Sequence, residues 1–227
     1  MTAIIKKELK NYFFSPIGYI VIGIFLIAFS SFFYLTSIQS ATIDLTALFY
    51  YTALYGLMFM APLLTMWSIA GERKNGTDQI LMTSPVSTIG LVLAKFISAM
   101  ILIVIPVICT LMYFGILLHY GTPDIPTYLT SMLGFLLLAM TYISFGILAS
   151  SMTSSPIIAA ILTFTIVFIS TWLPYFVSSL SGLSLIDLFI KFLYGQIDIV
   201  SLIFFITLTI LSLSITIILL QRRKIVK

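Results

Sequence analysis

Apolar residues run almost unbroken through six stretches of the chain, at about 17–37, 45–70, 88–118, 126–150, 157–177 and 199–220. A helix crosses the hydrocarbon core of a bilayer with ~20 apolar residues, and each stretch meets that length. Each is also apolar on every face, whereas membrane-spanning strands alternate apolar and polar residues over ~10 positions. The pattern predicts an all-α fold: a polytopic membrane protein with six transmembrane helices.

Two segments break the apolar rule. In residues 1–14, Ile4, Ile5, Leu9, Tyr12 and Phe13 gather on one side at 100° per residue, and Lys6, Lys7, Lys10 and Asn11 gather on the other. That is the signature of an amphipathic helix lying in the membrane interface. Glu8 falls inside the apolar arc near its edge, where an unpaired carboxylate is costly; it either meets a basic group such as Arg73 or reaches out to water. The lysines and the apolar run after them resemble a secretion signal. The run continues past Phe33 without a small-residue cleavage pattern, however, and reads as a retained first span.

The second polar island is Ala70-Gly-Glu-Arg-Lys-Asn-Gly-Thr-Asp-Gln-Ile-Leu-Met-Thr-Ser-Pro-Val86. Gly76 is placed to end an extension of the second span, and Thr77 or Asp78 to cap a new short helix whose apolar edge is Ile80 and Leu81. Ser84-Pro85 offers an N-cap and a first-turn proline for the third span. A loop that only joined two spans would need ~2–8 residues. The length and mixed character of 71–87 therefore predict a surface helix with a docking role.

Composition sharpens this picture. The chain is 61% hydrophobic and 8% charged, against roughly 25% charged in a soluble domain, so 1–227 reads as one transmembrane domain. Ten of the eleven basic residues, Lys6, Lys7, Lys10, Arg73, Lys74, Lys95, Arg222, Arg223, Lys224 and Lys227, fall on the side shared by both termini and the 71–87 loop. Only Lys191 falls on the other. The positive-inside rule makes the first side cytoplasmic, which leaves 178–198 as an external element before the last span. The basic residues flank spans and form no soluble patch, so they indicate topology and not nucleic-acid binding.

The chemistry the chain lacks narrows function further. No Gly-x-x-x-x-Gly-Lys-[Ser/Thr] phosphate loop occurs, so the chain is expected neither to bind nor to hydrolyse ATP. A hydrolase needs a nucleophile with an oriented base, and the only histidine, His119, sits at the outer end of span three with only Asp124 near it in sequence. With one histidine, one cysteine (Cys109) and dispersed carboxylates, no metal or other cofactor is expected on this chain. Ion-coupled carriers place ionisable groups at mid-membrane depth. Lys95 comes closest, about two turns from the cytoplasmic end, from where it can extend outward.

The motif Glu72-Arg73-x-x-Gly76-Thr77-x-x-x-Leu81-x-x-x-Pro85-Val86, followed by Lys95-Phe96, resembles the cytoplasmic loop of ABC type-2 exporter permeases, nearest to the small gliding-motility-associated branch. Lys6-Lys7-Glu8-Leu9 before Ser15-Pro16-Ile17-Gly18-Tyr19-Ile20, Ala149-Ser150-Ser151-x-Thr153 after span four, and Gly195-x-Ile197-Asp198 before span six support it. The resemblance covers essentially the whole chain.

It implies a permease that pairs with a second, identical or different permease and engages cytoplasmic ATPase subunits, which would carry the ATP and magnesium. Residues 76–83 would form the coupling helix, with Glu72, Arg73, Gly76, Thr77, Asp78, Ile80, Leu81 and Pro85 as the coupling residues. The N-terminal helix, with Lys6, Lys7, Glu8 and Lys10, would contact the ATPase as well. A substrate path along spans two and five would use Tyr51, Tyr55, Met58, Met60, Phe164 and Phe168, adaptable apolar side chains suited to a lipid, drug or membrane-active peptide. Asp187 and Lys191 are spaced as a helical pair, and Asp198 and Asp124 as caps for spans six and four. A membrane anchor that recruits a cytoplasmic partner without transport is the alternative reading.

Overall fold

The computed structural model describes residues 2–14, 16–77, 87–176 and 184–226. All regular structure among them is helical. Helix α1 (Thr2–Phe14) leads to α2 (Pro16–Phe33), which runs on into a π-helical turn, Tyr34–Ile38. The second apolar stretch holds α3 (Thr46–Tyr51), a π-helical turn (Thr52–Leu57), α4 (Met58–Thr65) and α5 (Ala70–Lys74). Then follow α6 (Thr88–Leu117), α7 (Ile125–Met152), α8 (Pro156–Phe176), α9 (Leu185–Leu193) and α10 (Ile199–Val226).

Five helical runs are long and apolar enough to cross a membrane: Gly18–Ile38, Thr46–Lys74, Thr88–Leu117, Ile125–Met152 and Ile199–Arg223. The fifth apolar stretch, α8, has 21 residues, about 31 Å at 1.5 Å per residue, although its apolar part Pro156–Trp172 is shorter than those five. The chain is thus a polytopic all-α membrane protein.

Helix α7 is the hub, against which α10, α8, α9, α4 and α6 all pack. Small and hydroxylated residues make that possible, because apolar burial gives helices little reason to associate inside lipid, and close contact and hydrogen bonds must do so. Ser144 Oγ meets Ser212 Oγ of α10 at 2.8 Å, and Tyr142 Oη meets Thr171 Oγ1 of α8 at 2.8 Å. Gly146 lies so close to α4 that a Cβ there would stand 2.7 Å from the Cβ of Thr65.

The second span is not the continuous helix its apolar run predicts. It breaks between α4 and α5, at residues 66–69. A break in a membrane helix strands backbone donors and acceptors with no water to take them, and here other spans supply the partners. Ser150 Oγ of α7 accepts the N–H groups of Ile69 (3.0 Å) and Ala70 (2.9 Å), acting as an N-cap for α5 from another helix. Lys95 Nζ of α6 donates to the Ser68 carbonyl at 2.7 Å. The third span begins after Ser87, whose Oγ accepts the Gly90 N–H, so this cap falls three residues later than Ser84, which lies outside the described residues along with Pro85.

Two ends of the bundle are distinguishable. One gathers α1, α5, the start of α6 and the end of α7. The other gathers residues 43–46, 123–128 and 193–194 around one cavity. There α9 lays Leu185, Ile186, Leu188, Phe189, Phe192 and Leu193 inward. Lys191 Nζ reaches Asp198 Oδ2 at 2.6 Å, and Asp198 caps α10 by accepting from the Val200 N–H and the Ser201 hydroxyl. Asp124 flanks α7 and accepts from the Thr127 hydroxyl.

Candidate functional site

The site at the α1 end is built around Lys95. The side chain enters from α6, is 2% exposed, and is bonded to Glu8 Oε1 of α1 (3.1 Å) and Glu72 Oε1 of α5 (2.9 Å) besides the Ser68 carbonyl. An ammonium has three protons to donate, and three acceptors from three separate segments take them. Lys95 does not extend outward, and Glu8 does meet a basic group, which is Lys95 and not Arg73. An ammonium two turns inside an apolar helix gains more from two carboxylates brought to it than from a stretched path to the interface, because the low local dielectric strengthens the pairing. The signal was present in the sequence: a lone lysine in the apolar run 88–118 and a lone glutamate on an apolar arc, each lacking a partner.

Arg73 takes a different task. Its Nη1 donates to the carbonyls of Ser151 (2.6 Å) and Thr153 (3.0 Å), at the C-terminal end of α7. Helix C-termini leave carbonyls unpaired and carry partial negative charge, so a guanidinium there serves as cap and counter-charge. Arg223 of α10 approaches the neighbouring Met152 carbonyl at 3.4 Å. Gly76 ends α5 with φ of +72°. The Thr77 N–H bonds to the Glu72 carbonyl and the Gly76 N–H to that of Arg73, a Schellman closure that needs the left-handed residue. The Thr77 hydroxyl also donates to the Glu72 carbonyl. Asp78, Ile80, Leu81 and Pro85 lie outside the described residues.

On α1, Lys6, Lys7 and Lys10 are exposed, and Lys10 Nζ stands 5.0 Å from the centre of the Phe14 ring. Tyr12 donates from Oη to the Leu64 carbonyl at 3.3 Å, fastening α1 to the last turn of α4. Burial and the nearby Glu8 and Glu72 carboxylates push its phenol well above the ordinary tyrosine range, so it stays a donor. A cavity of about 560 Å³ opens beside this junction, lined among others by Lys7, Asn11, Trp67, Glu72, Thr77 and Lys95.

The residues predicted for a substrate path divide. Tyr51, Tyr55 and Phe168 are exposed and Phe164 is half-buried, whereas Met58 and Met60 turn into the core and are removed from that face. The i, i+4 spacing that exposes Tyr51, Tyr55 and Phe59 on one side sends the two methionines to the other. Phe59 and Trp172, which the sequence reading passed over, complete the face. Phe59 meets Phe164 at 5.3 Å between centroids, and Phe168 stacks between Phe164 (6.0 Å) and Trp172 (6.2 Å). An aromatic strip therefore joins the second span to the fifth. Among the described residues no group of three or more His, Cys, Asp and Glu side chains is placed to hold a metal ion.

An apolar helical bundle with a charged junction at one end and an aromatic flank defines a polytopic membrane protein. The chain belongs to the ABC-2 family of transporter proteins, whose sequence model matches residues 2–185. It is a permease component of an ABC transporter, the part of such a system that is not itself the ATPase. No individually curated protein matches the chain.

Proposed function

We propose that the chain is the permease subunit of an ATP-driven exporter, that its α1 end faces the cytoplasm, and that separate ATPase subunits dock there against α1 and the 70–83 segment. Lys95 carries this reading. One ammonium ties the N-terminal helix, the segment after the second span and the body of the third span together, so displacement of either docking element pulls directly on a span. Arg73 extends the linkage to the end of α7. The charge distribution along the chain supports the orientation. The cavity beside Lys95 gives a protruding ATPase segment a place to seat.

The aromatic strip from Phe59 to Trp172 supports pairing with a second permease across the second and fifth spans, with an apolar or amphipathic substrate moving between the two. The test is to co-purify the chain with ATPases encoded beside it and measure ATP hydrolysis in lipid. Wild type is expected to hold and be regulated with its ATPase. Replacement of 76–83 should abolish binding, and Lys95→Met should leave binding but reduce lipid-dependent hydrolysis. An ATPase that binds equally well to the loop replacement would reject docking at this end, and a chain that binds no ATPase would be an anchor and not a transporter subunit.

A further inference from the structure

At the opposite end of the bundle, a cavity of about 630 Å³ lies between the first and second spans. Its apolar side is formed by three nearly parallel rings. Phe32 stands 5.6 Å from Tyr51 and 6.3 Å from Tyr55, and the two tyrosines are 6.4 Å apart with ring planes only 7° from parallel. Its polar side is formed by Thr36, Thr42 and Asp44. The Thr36 and Thr42 hydroxyls already donate to the carbonyls of Phe32 and Thr36, which leaves them only acceptor capacity. Asp44 accepts from the Thr46 N–H (2.9 Å) and the Thr46 hydroxyl (2.5 Å), and a carboxylate can accept about four such bonds. Among the described residues lining the cavity, Asp44 bears the only formal charge.

Two π-helical turns and one strained residue border this cavity. The π-helical turn Tyr34–Ile38 supplies Thr36, and the π-helical turn Thr52–Leu57 supplies Tyr55. Between them Ala41 holds a positive φ of 49°, a conformation that costs a non-glycine residue free energy. Single π turns inserted into α-helices collect at functional sites; Thr52–Leu57 is one, between α3 and α4, and Tyr34–Ile38 closes the first span beside it.

We propose that this cavity is a binding site for amphiphilic organic cations, molecules with a quaternary ammonium or phosphonium centre on an apolar body. Ring faces carry negative electrostatic potential, as do a carboxylate and hydroxyl lone pairs, so the site attracts positive charge and repels anions. The volume suits a drug-sized molecule. The assignment of this cavity to the transport path rests on the exporter reading above; cation binding itself does not.

The test uses the full chain in detergent and equilibrium dialysis of labelled tetraphenylphosphonium against tetraphenylborate, two ions of the same shape and opposite charge. Wild type is expected to favour the phosphonium at least tenfold after correction for micelle partition. Asp44→Asn keeps an oxygen that can accept the Thr46 N–H, and should weaken phosphonium binding about fivefold without weakening borate binding. Tyr51→Ala/Tyr55→Ala should weaken the phosphonium whether or not Asp44→Asn folds. Equal binding of the two ions, or phosphonium binding unchanged by either variant, would overturn the proposal. Cation binding in a chain that engages no ATPase would keep the site and remove the exporter. A coupled ATPase with no charge preference in the cavity would do the reverse.

Discussion

The Arg73 guanidinium donates to the Ser151 carbonyl at 2.6 Å, joining the segment after the second span to the end of the fourth. The same nitrogen takes the Thr153 carbonyl. Arg73→Ala leaves these helix-end acceptors without that donor and is expected to cost about 1–3 kcal/mol, read as a lower melting temperature in detergent. Arg73→Lys should recover part of the loss, because a single nitrogen makes both bonds and an ammonium has protons for two carbonyls.

Lys95→Met removes the one cation between the buried Glu8 carboxylate and the half-buried Glu72 carboxylate. The expected loss is about 3–5 kcal/mol, measured by thermal or denaturant unfolding. Adding Glu8→Gln and Glu72→Gln to the Met variant should restore most of the stability, since the stranded charges are then gone. A triple variant no more stable than Lys95→Met alone would show that the junction does not act through charge. Combining Glu8→Arg with Arg73→Glu should give additive damage with no rescue.

Gly146→Ala introduces a methyl 2.7 Å from Thr65 Cβ and 2.1 Å from its Oγ1. The helices must separate locally, at about 1–3 kcal/mol. Adding Thr65→Ala removes the hydroxyl and the second methyl and should return part of the loss, again by melting temperature. Equal stability of Gly146→Ala and wild type would contradict the close approach of α4 and α7.

The Lys191 and Ser201 bonds hold the Asp198 carboxyl down to about 2. Its folded-state value lies below the unfolded one, so the unfolded chain takes up the proton first as pH falls. Its contribution is complete above about pH 4 and disappears as pH drops through 2. Asp198→Asn should therefore melt below wild type at pH 6, with the gap closing toward pH 2.

Spans were legible because an apolar run long enough to cross a bilayer has few other uses. Both ends of the bundle were legible from the distribution of lysine and arginine, and Gly76 from the need for a left-handed residue after α5. Lys95 was misread because an isolated lysine near a helix end satisfies two descriptions equally, outward extension and inward pairing, and only the position of Glu8, 87 residues earlier, decides between them. The break at 66–69 left no mark in hydrophobicity, since the groups that satisfy its backbone, Ser150 and Lys95, lie in other spans. Met58 and Met60 lie in the core, a place that methionine suits as well as it suits a substrate path, so residue type alone does not give their position.

The Glu8–Lys95 pair also orders events during synthesis. At about 5–20 residues per second, the 87 residues between them take roughly 4–17 s to make, so the carboxylate is at the membrane surface well before the ammonium arrives. A newly inserted third span carries a charge that only correctly placed earlier segments can neutralise. A chain in which the amino-terminal helix is misplaced leaves Lys95 with Glu72 and the Ser68 carbonyl alone, so the third span loses one of the two carboxylates that balance its charge.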